Sequence, residues 1–154
     1  MAKVNITLKG FEKMLKNISE AGKDADKAAD RAISESVKVY DTELHAAATS
    51  HGVPTNLTSE IKSAQYKEGN FYGGRVGWEV GSYDRKNPSA GMKAIFLNYG
   101  TVRRQTKRGY NRGAIDKSDS SQRGFIEAAK RAARPKIKKA QKKIIDEVME
   151  DLSK

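Results

Sequence analysis

The chain opens with a short apolar run, Val4 to Leu8, that predicts a strand, and the pattern turns helical at Gly10. Apolar or small residues then recur at Phe11, Met14, Leu15, Ile18, Ala25, Ala29, Ala32, Ile33, Val37, Tyr40, Leu44 and Ala48. The i, i+3, i+4, i+7 spacing lays these positions along one stripe of a helix. The expectation is one long helix, or two nearly collinear ones, from about Phe11 to about Thr49. Gly22 marks a kink within it, because glycine costs about 1 kcal/mol against alanine inside a helix. His51-Gly52-Val53-Pro54 stops the helix. Proline has no N–H to donate and pushes the residue before it towards extended geometry.

Ser59 to Lys67 fits either a strand or a short helix. In Arg75 to Ser82, by contrast, Val76, Trp78 and Val80 alternate with Arg75, Gly77 and Glu79, the period of a half-buried strand. Gly73-Gly74 is expected to supply a turn before it, pairing it with Ile61–Tyr66 as a hairpin. Tyr83 to Gly91 reads as a polar loop, and Met92 to Tyr99 as a short apolar segment ended by Gly100-Thr101. Residues 102–123 form a long polar loop dense in Arg, Lys, Gly, Ser and Gln. Gly124-Phe125 opens a second long helix, whose stripe runs through Phe125, Ala128, Ala129, Ala132, Ala133, Ile137, Ala140, Ile144, Val148 and Leu152. Pro135 is expected to kink it. The fold class is therefore α+β: one domain over residues 1–154, with a small, mostly antiparallel sheet flanked by a long N-terminal and a long C-terminal helix.

Composition narrows the function. Hydrophobic residues make up 37% of the 154, charged residues 32% and aromatics 7%, so the core is modest and rich in alanine. With no cysteine, disulfides, zinc–thiolate sites and thiol nucleophiles are excluded. The start lacks the apolar stretch of a secretion signal. No run approaches the ~20 apolar residues that span a bilayer. The net charge of +11 is unevenly placed. Residues 1–50 balance, whereas residues 101–113 hold five positive charges and no negative one, and residues 125–154 hold nine against five. Such patches attract phosphate backbones or acidic protein surfaces.

No catalytic pattern is satisfied. His45 and His51 lie six apart, not at the three- or four-residue spacing of paired ligands on a helix. The glycines at 69, 73, 74, 77 and 81 match neither the dinucleotide nor the P-loop spacing. No serine sits in a Gly-x-Ser-x-Gly elbow. Glu60, Glu68, Glu79 and Asp84 are scattered among cations. The reading is of a non-enzymatic protein without cofactor or metal. One local signal is sharp: Arg103, Arg104, Lys107, Arg108 and Arg112, with Tyr110 as the single aromatic among them.

Several segments together carry a resemblance. A long helix begins after Lys9-Gly10-Phe11, followed by Val53-Pro54-Thr55-Asn56-Leu57-Thr58-Ser59-Glu60-Ile61. An alternating strand comes next, then Phe96-Leu97-Asn98-Tyr99-Gly100-Thr101, then a helix opening Phe125-Ile126-Glu127-Ala128-Ala129. The order resembles the small neck proteins of long-tailed bacteriophages, the tail-completion, head–tail joining or tail-terminator-like family. Asn98 stands where that family usually carries an acidic residue, and Gly124 where it usually carries proline. The loop before Phe125 is also longer than usual. The resemblance implies a virion protein, assembled in the host cytoplasm, that forms a commonly hexameric ring of its own copies at the head–tail junction. Its other partners would be the tail tube and the head-completion or connector protein. Genomic DNA would pass through without specific recognition, and no membrane would be involved. It also implies a motif corner formed by Asn98, Tyr99, Gly100, Thr101 and Phe125. The five cations from Arg103 to Arg112 are expected to form a docking loop for an acidic neighbour. The alternative reading is a basic nucleic-acid-binding protein.

Overall fold

The computed structural model describes residues 4–5, 25–69, 71–81, 87–100 and 123–152. Among these the elements run β1 (Val4–Asn5), α1 (Ala25–Ser50), α2 (Thr55–Thr58), β2 (Lys62–Glu68), β3 (Phe71–Gly77), α3 (Ala90–Tyr99) and α4 (Phe125–Leu152). The fold is α+β, with two long helices and a small antiparallel sheet.

In α1 the predicted stripe is the buried one: Ala29, Ala32, Ile33, Val37, Tyr40, Leu44 and Ala48 are each at most 4% exposed. The earlier part of the predicted helix, with Gly22, lies outside the described residues. The helix ends where the glycine and proline place its stop. Gly52 takes φ +70°, its N–H bonds to the Thr49 carbonyl at 3.0 Å, and the Val53 N–H reaches back to Ala48 at 2.9 Å. This is the paired closure of a Schellman motif, in which a left-handed residue satisfies the last carbonyls.

α4 lies antiparallel to α1. Small residues let the backbones approach: Ala29 and Ala32 meet Ile144 and Ile145. Arg31 pairs with Glu147 at 2.9 Å, and Lys136 pairs with Glu43 at the other end. Ser36, fully buried at this interface, donates to the Ala32 carbonyl and accepts from Gln141 Nε2 at 2.9 Å, so neither polar group is stranded. α4 runs unbroken through Pro135. Pro135 is exposed, so the Arg131 carbonyl that it leaves without an N–H partner faces water.

The sheet has the order β1-β3-β2, antiparallel throughout. It corrects two expectations. The hairpin closes at the Glu68–Phe71 pair, not at Gly73-Gly74, and the strand accordingly runs Phe71–Gly77 instead of Arg75–Ser82. Gly69 takes φ +59° and supplies the left-handed turn. Gly73 and Gly74 lie within the strand because each faces a close neighbour. A Cβ on Gly74 would sit 2.2 Å from Val37 Cγ2 of α1, and one on Gly73 2.3 Å from the Tyr66 ring. The in–out alternation itself is as predicted, with Val76 and Trp78 each 2% exposed, although Trp78 lies beyond the strand end. The ambiguous segment from Ser59 resolves into β2, preceded by the single turn α2. The core gathers Leu57, Val76, Trp78 and Phe125 over the α1 stripe. Trp78 meets Phe125 edge-on at 5.8 Å and donates its indole N–H to the Leu57 carbonyl at 2.6 Å.

Candidate functional site

The apolar segment Met92–Tyr99 falls within α3. Ser89 caps its start by accepting from the Met92 N–H at 3.4 Å. Gly100, at φ +75°, ends it and donates to the Phe96 carbonyl at 2.8 Å. The chain next described, Arg123 and Gly124, comes back against this end and starts α4.

Asn98 lies at the centre of this return. Asn98 is 3% exposed, one of two buried polar side chains among the described residues. Its Oδ1 accepts from the Ile126 N–H at 2.9 Å, and its Nδ2 donates to Glu127 Oε2 at 2.9 Å. Its backbone carbonyl accepts from the Gly124 N–H at 3.3 Å. A helix start leaves its first N–H groups without intrahelical partners, and the residue before the helix ordinarily supplies a side-chain oxygen. Gly124 has no side chain, so Asn98 provides the cap from the neighbouring helix.

Tyr99 and Arg123 complete the corner. The Tyr99 hydroxyl donates to Glu127 Oε1 at 2.9 Å, while Arg123 Nη2 donates to the Tyr99 carbonyl at 2.9 Å. Glycine suits position 100 because its φ of +75° is strained for any residue with a Cβ, and the Arg123 guanidinium lies close over it. Phe125 is fully buried and anchors the start of α4 in the core. Tyr99 is 55% exposed and forms the outer surface of the corner.

Electrostatics fix Glu127 as an anion. Partial burial pushes its carboxyl up, but hydrogen bonds from Asn98 and Tyr99, its own backbone N–H and the nearby Lys130 more than offset this. The net result lies below the ordinary carboxylate value. Tyr99 is pushed up by its bond to Glu127 and then by burial. Tyr40 beneath is pushed up as well, first by burial and then by the charge of Glu127. A carboxylate held ionised and engaged by two donors is suited to fastening helices, not to taking a proton in catalysis.

Of the sequence-named corner, the structure brings together Asn98, Tyr99, Gly100 and Phe125; Thr101 lies outside the described residues. So do Arg103, Arg104, Lys107, Arg108 and Arg112. Sequence reasoning missed Glu127 and Arg123 as members. Glu127 is the third residue of its helix, the position where a capping-box carboxylate sits, and that spacing could have flagged it. Nothing in the pattern singles out Arg123. Elsewhere, His45 Nδ1–H donates to the Asp41 carbonyl one turn earlier, at 2.9 Å. No three His, Asp or Glu side chains gather as a metal site among the described residues. Two grooves, of about 740 and 360 Å3, follow α4 and are walled mainly by long charged side chains such as Lys139, Lys143 and Glu147. No described helix is long and apolar enough to cross a membrane. No protein-family model, curated protein or solved structure matches the chain.

Proposed function

We propose that this chain is a non-enzymatic virion protein that forms a ring at the head–tail junction of a long-tailed bacteriophage. There it would complete or terminate the tail, join it to the head-completion proteins, and let genomic DNA pass. The observation that carries the reading is the corner at Asn98. The motif on which the resemblance rests folds into a closed polar joint that fixes α3 against the start of α4. Asn98 Oδ1 and Nδ2 and both oxygens of the Glu127 carboxylate each make a hydrogen bond within that joint. The α+β order of elements is the one the resemblance implies, and a modest, alanine-rich core suits a subunit whose stability is shared with its neighbours.

The test is electron microscopy of the purified protein and of the virion. The expected result is a closed ring, located at the neck. Deleting the gene should leave filled heads separated from tails. A protein that stays monomeric at all concentrations, or normal infectious particles from the deletion, sinks the proposal.

A further inference from the structure

The sequence between Lys130 and Lys143 holds eight cations and no acidic residue. α4 buries Ala129, Ala133, Ile144 and Ile145, and the charges emerge on its other side. Arg131, Arg134, Lys138 and Lys142 follow one another at steps of three, four and four residues, so they share one helical face, with Lys139 beside them. All five are exposed. The other cations of the run have acidic company: Lys136 pairs with Glu43, Lys143 lies 3.8 Å from Glu147, and Lys130 adjoins Glu127. Among the described residues the five have no ion pair.

We propose that this face of α4 binds the phosphate backbone of duplex nucleic acid without reading its sequence. From Arg131 to Lys142 the stripe is about 17 Å long at 1.5 Å per residue. A duplex presents roughly ten phosphate charges over that length. Two features favour a duplex over other anionic partners. The solvent-facing residues interleaved with the cations include Ala132 and Pro135, both small, and no aromatic. Protein interfaces take most of their energy from buried aromatic or large apolar anchors, which are missing here. Single strands are held by aromatic stacking, for which the stripe also offers nothing. Phosphate contact needs only cations at a regular pitch, and the two arginines add planar donors suited to phosphate oxygens. Like charges at these spacings also weaken an isolated helix. A bound polyanion would relieve that repulsion, so binding should also raise the melting temperature of the protein.

This proposal is independent of the ring reading: a monomer could bind duplex, and a ring could fail to. The experiment follows fluorescence anisotropy of a labelled duplex of about 24 base pairs, somewhat over two helical turns, with the full chain across a salt series. Five phosphate contacts predict a slope of log K against log salt of about −4.5, a loss of roughly 500-fold between 50 and 200 mM. A duplex of unrelated sequence should give the same curve. The variant R131Q/R134Q/K138Q/K139Q/K142Q should abolish this binding while circular dichroism stays native. The milder K138Q/K142Q should flatten the slope by about 1.8 and guards against a folding defect in the first. The loop variant R103Q/R104Q/K107Q/R108Q/R112Q should retain the binding. A flat titration overturns the proposal, as does binding that the loop variant abolishes and the helix variants keep. Equal affinity for polyglutamate of matched charge also overturns it, in favour of an acidic protein partner.

Discussion

Replacing Asn98 by aspartate changes one nitrogen to oxygen at constant size and reverses the logic of the corner. The introduced carboxylate could still accept from the Ile126 N–H, where negative charge at a helix start is worth about 0.3–1 kcal/mol. Its second oxygen, however, would take the place of Nδ2, 2.9 Å from Glu127 Oε2. At an effective dielectric of about 20, two charges at that distance repel by about 6 kcal/mol. The pair avoids most of this by keeping a proton. Holding one at pH 7 on a group that ordinarily titrates near 4 costs about 4 kcal/mol. Less the helix-start gain, Asn98→Asp should destabilise by about 3 kcal/mol at pH 7. For a domain of this size that lowers the melting temperature by about 6–12 °C. The pH dependence supplies the sharper test. In the native chain Glu127 is held below its ordinary value, so its contribution is present at neutral pH and is lost as pH falls through that lowered value. In the variant the shared proton raises the pair's titration above the unfolded value. The folded state then binds more protons, and the deficit should shrink between pH 7 and pH 5. Asn98→Asp/Glu127→Gln exchanges donor and acceptor and should recover all but about 1 kcal/mol, a coupling that a double-mutant cycle reads directly. The assay is thermal and urea unfolding by circular dichroism at both pH values. A single variant as stable as the native chain at pH 7, or a double variant no better than the single, refutes the reasoning.

Two sheet glycines and one buried tyrosine probe the packing around the corner. Gly74→Ala should cost about 1–3 kcal/mol, because Val37 on α1 is buried and has nowhere to move. Gly73→Ala should cost less, since the part-exposed Tyr66 ring can swing outward, giving up its contact with the Arg75 guanidinium at 4.4 Å. Urea midpoints in the reverse order would contradict the assignment of sheet faces. Tyr40→Phe removes a hydroxyl that is buried with no hydrogen-bond partner among the described residues and should leave stability unchanged or raise it by up to about 1 kcal/mol. A loss above that size in the same unfolding assay would show that the hydroxyl is satisfied.

The long elements are legible in the sequence because burial imposes a period on them. The stripe of α1 can be read residue by residue, and its end at Gly52 follows from the conformations open to glycine and closed to proline. The hairpin turn departs from its expected place for a physical reason. Glycine serves both left-handed turns and close approaches, and Gly69 does the first while Gly73 and Gly74 do the second. Only knowing that Val37 and Tyr66 press on the strand separates these uses. α3 reads in sequence as an apolar segment without a type. It is ten residues long and its neighbours, more than a periodic face, decide its burial. The corner is half legible. Asn98, Tyr99, Gly100 and Phe125 stand out by resemblance, but their purpose depends on Glu127, which lies 29 residues beyond Asn98 and becomes its neighbour only when α4 returns.

That dependence bears on two of the positions at which the chain departs from the pattern it resembles, Asn98 and Gly124. Gly124, at φ +72°, donates its N–H to the Asn98 carbonyl. Proline could do neither, being locked near φ −65° and lacking the N–H. With glycine before the helix there is also no side chain to cap it, and the cap must come from elsewhere. Asn98 meets that need while its Nδ2 donates to Glu127, a role an aspartate or glutamate could fill only by retaining a proton. Asparagine at 98 and glycine at 124 are therefore, together with glutamate at 127, one physical solution and not two separate departures. Placing an acidic residue at 98 alone breaks the donor–acceptor match, and placing proline at 124 alone breaks the turn that brings the two helices together.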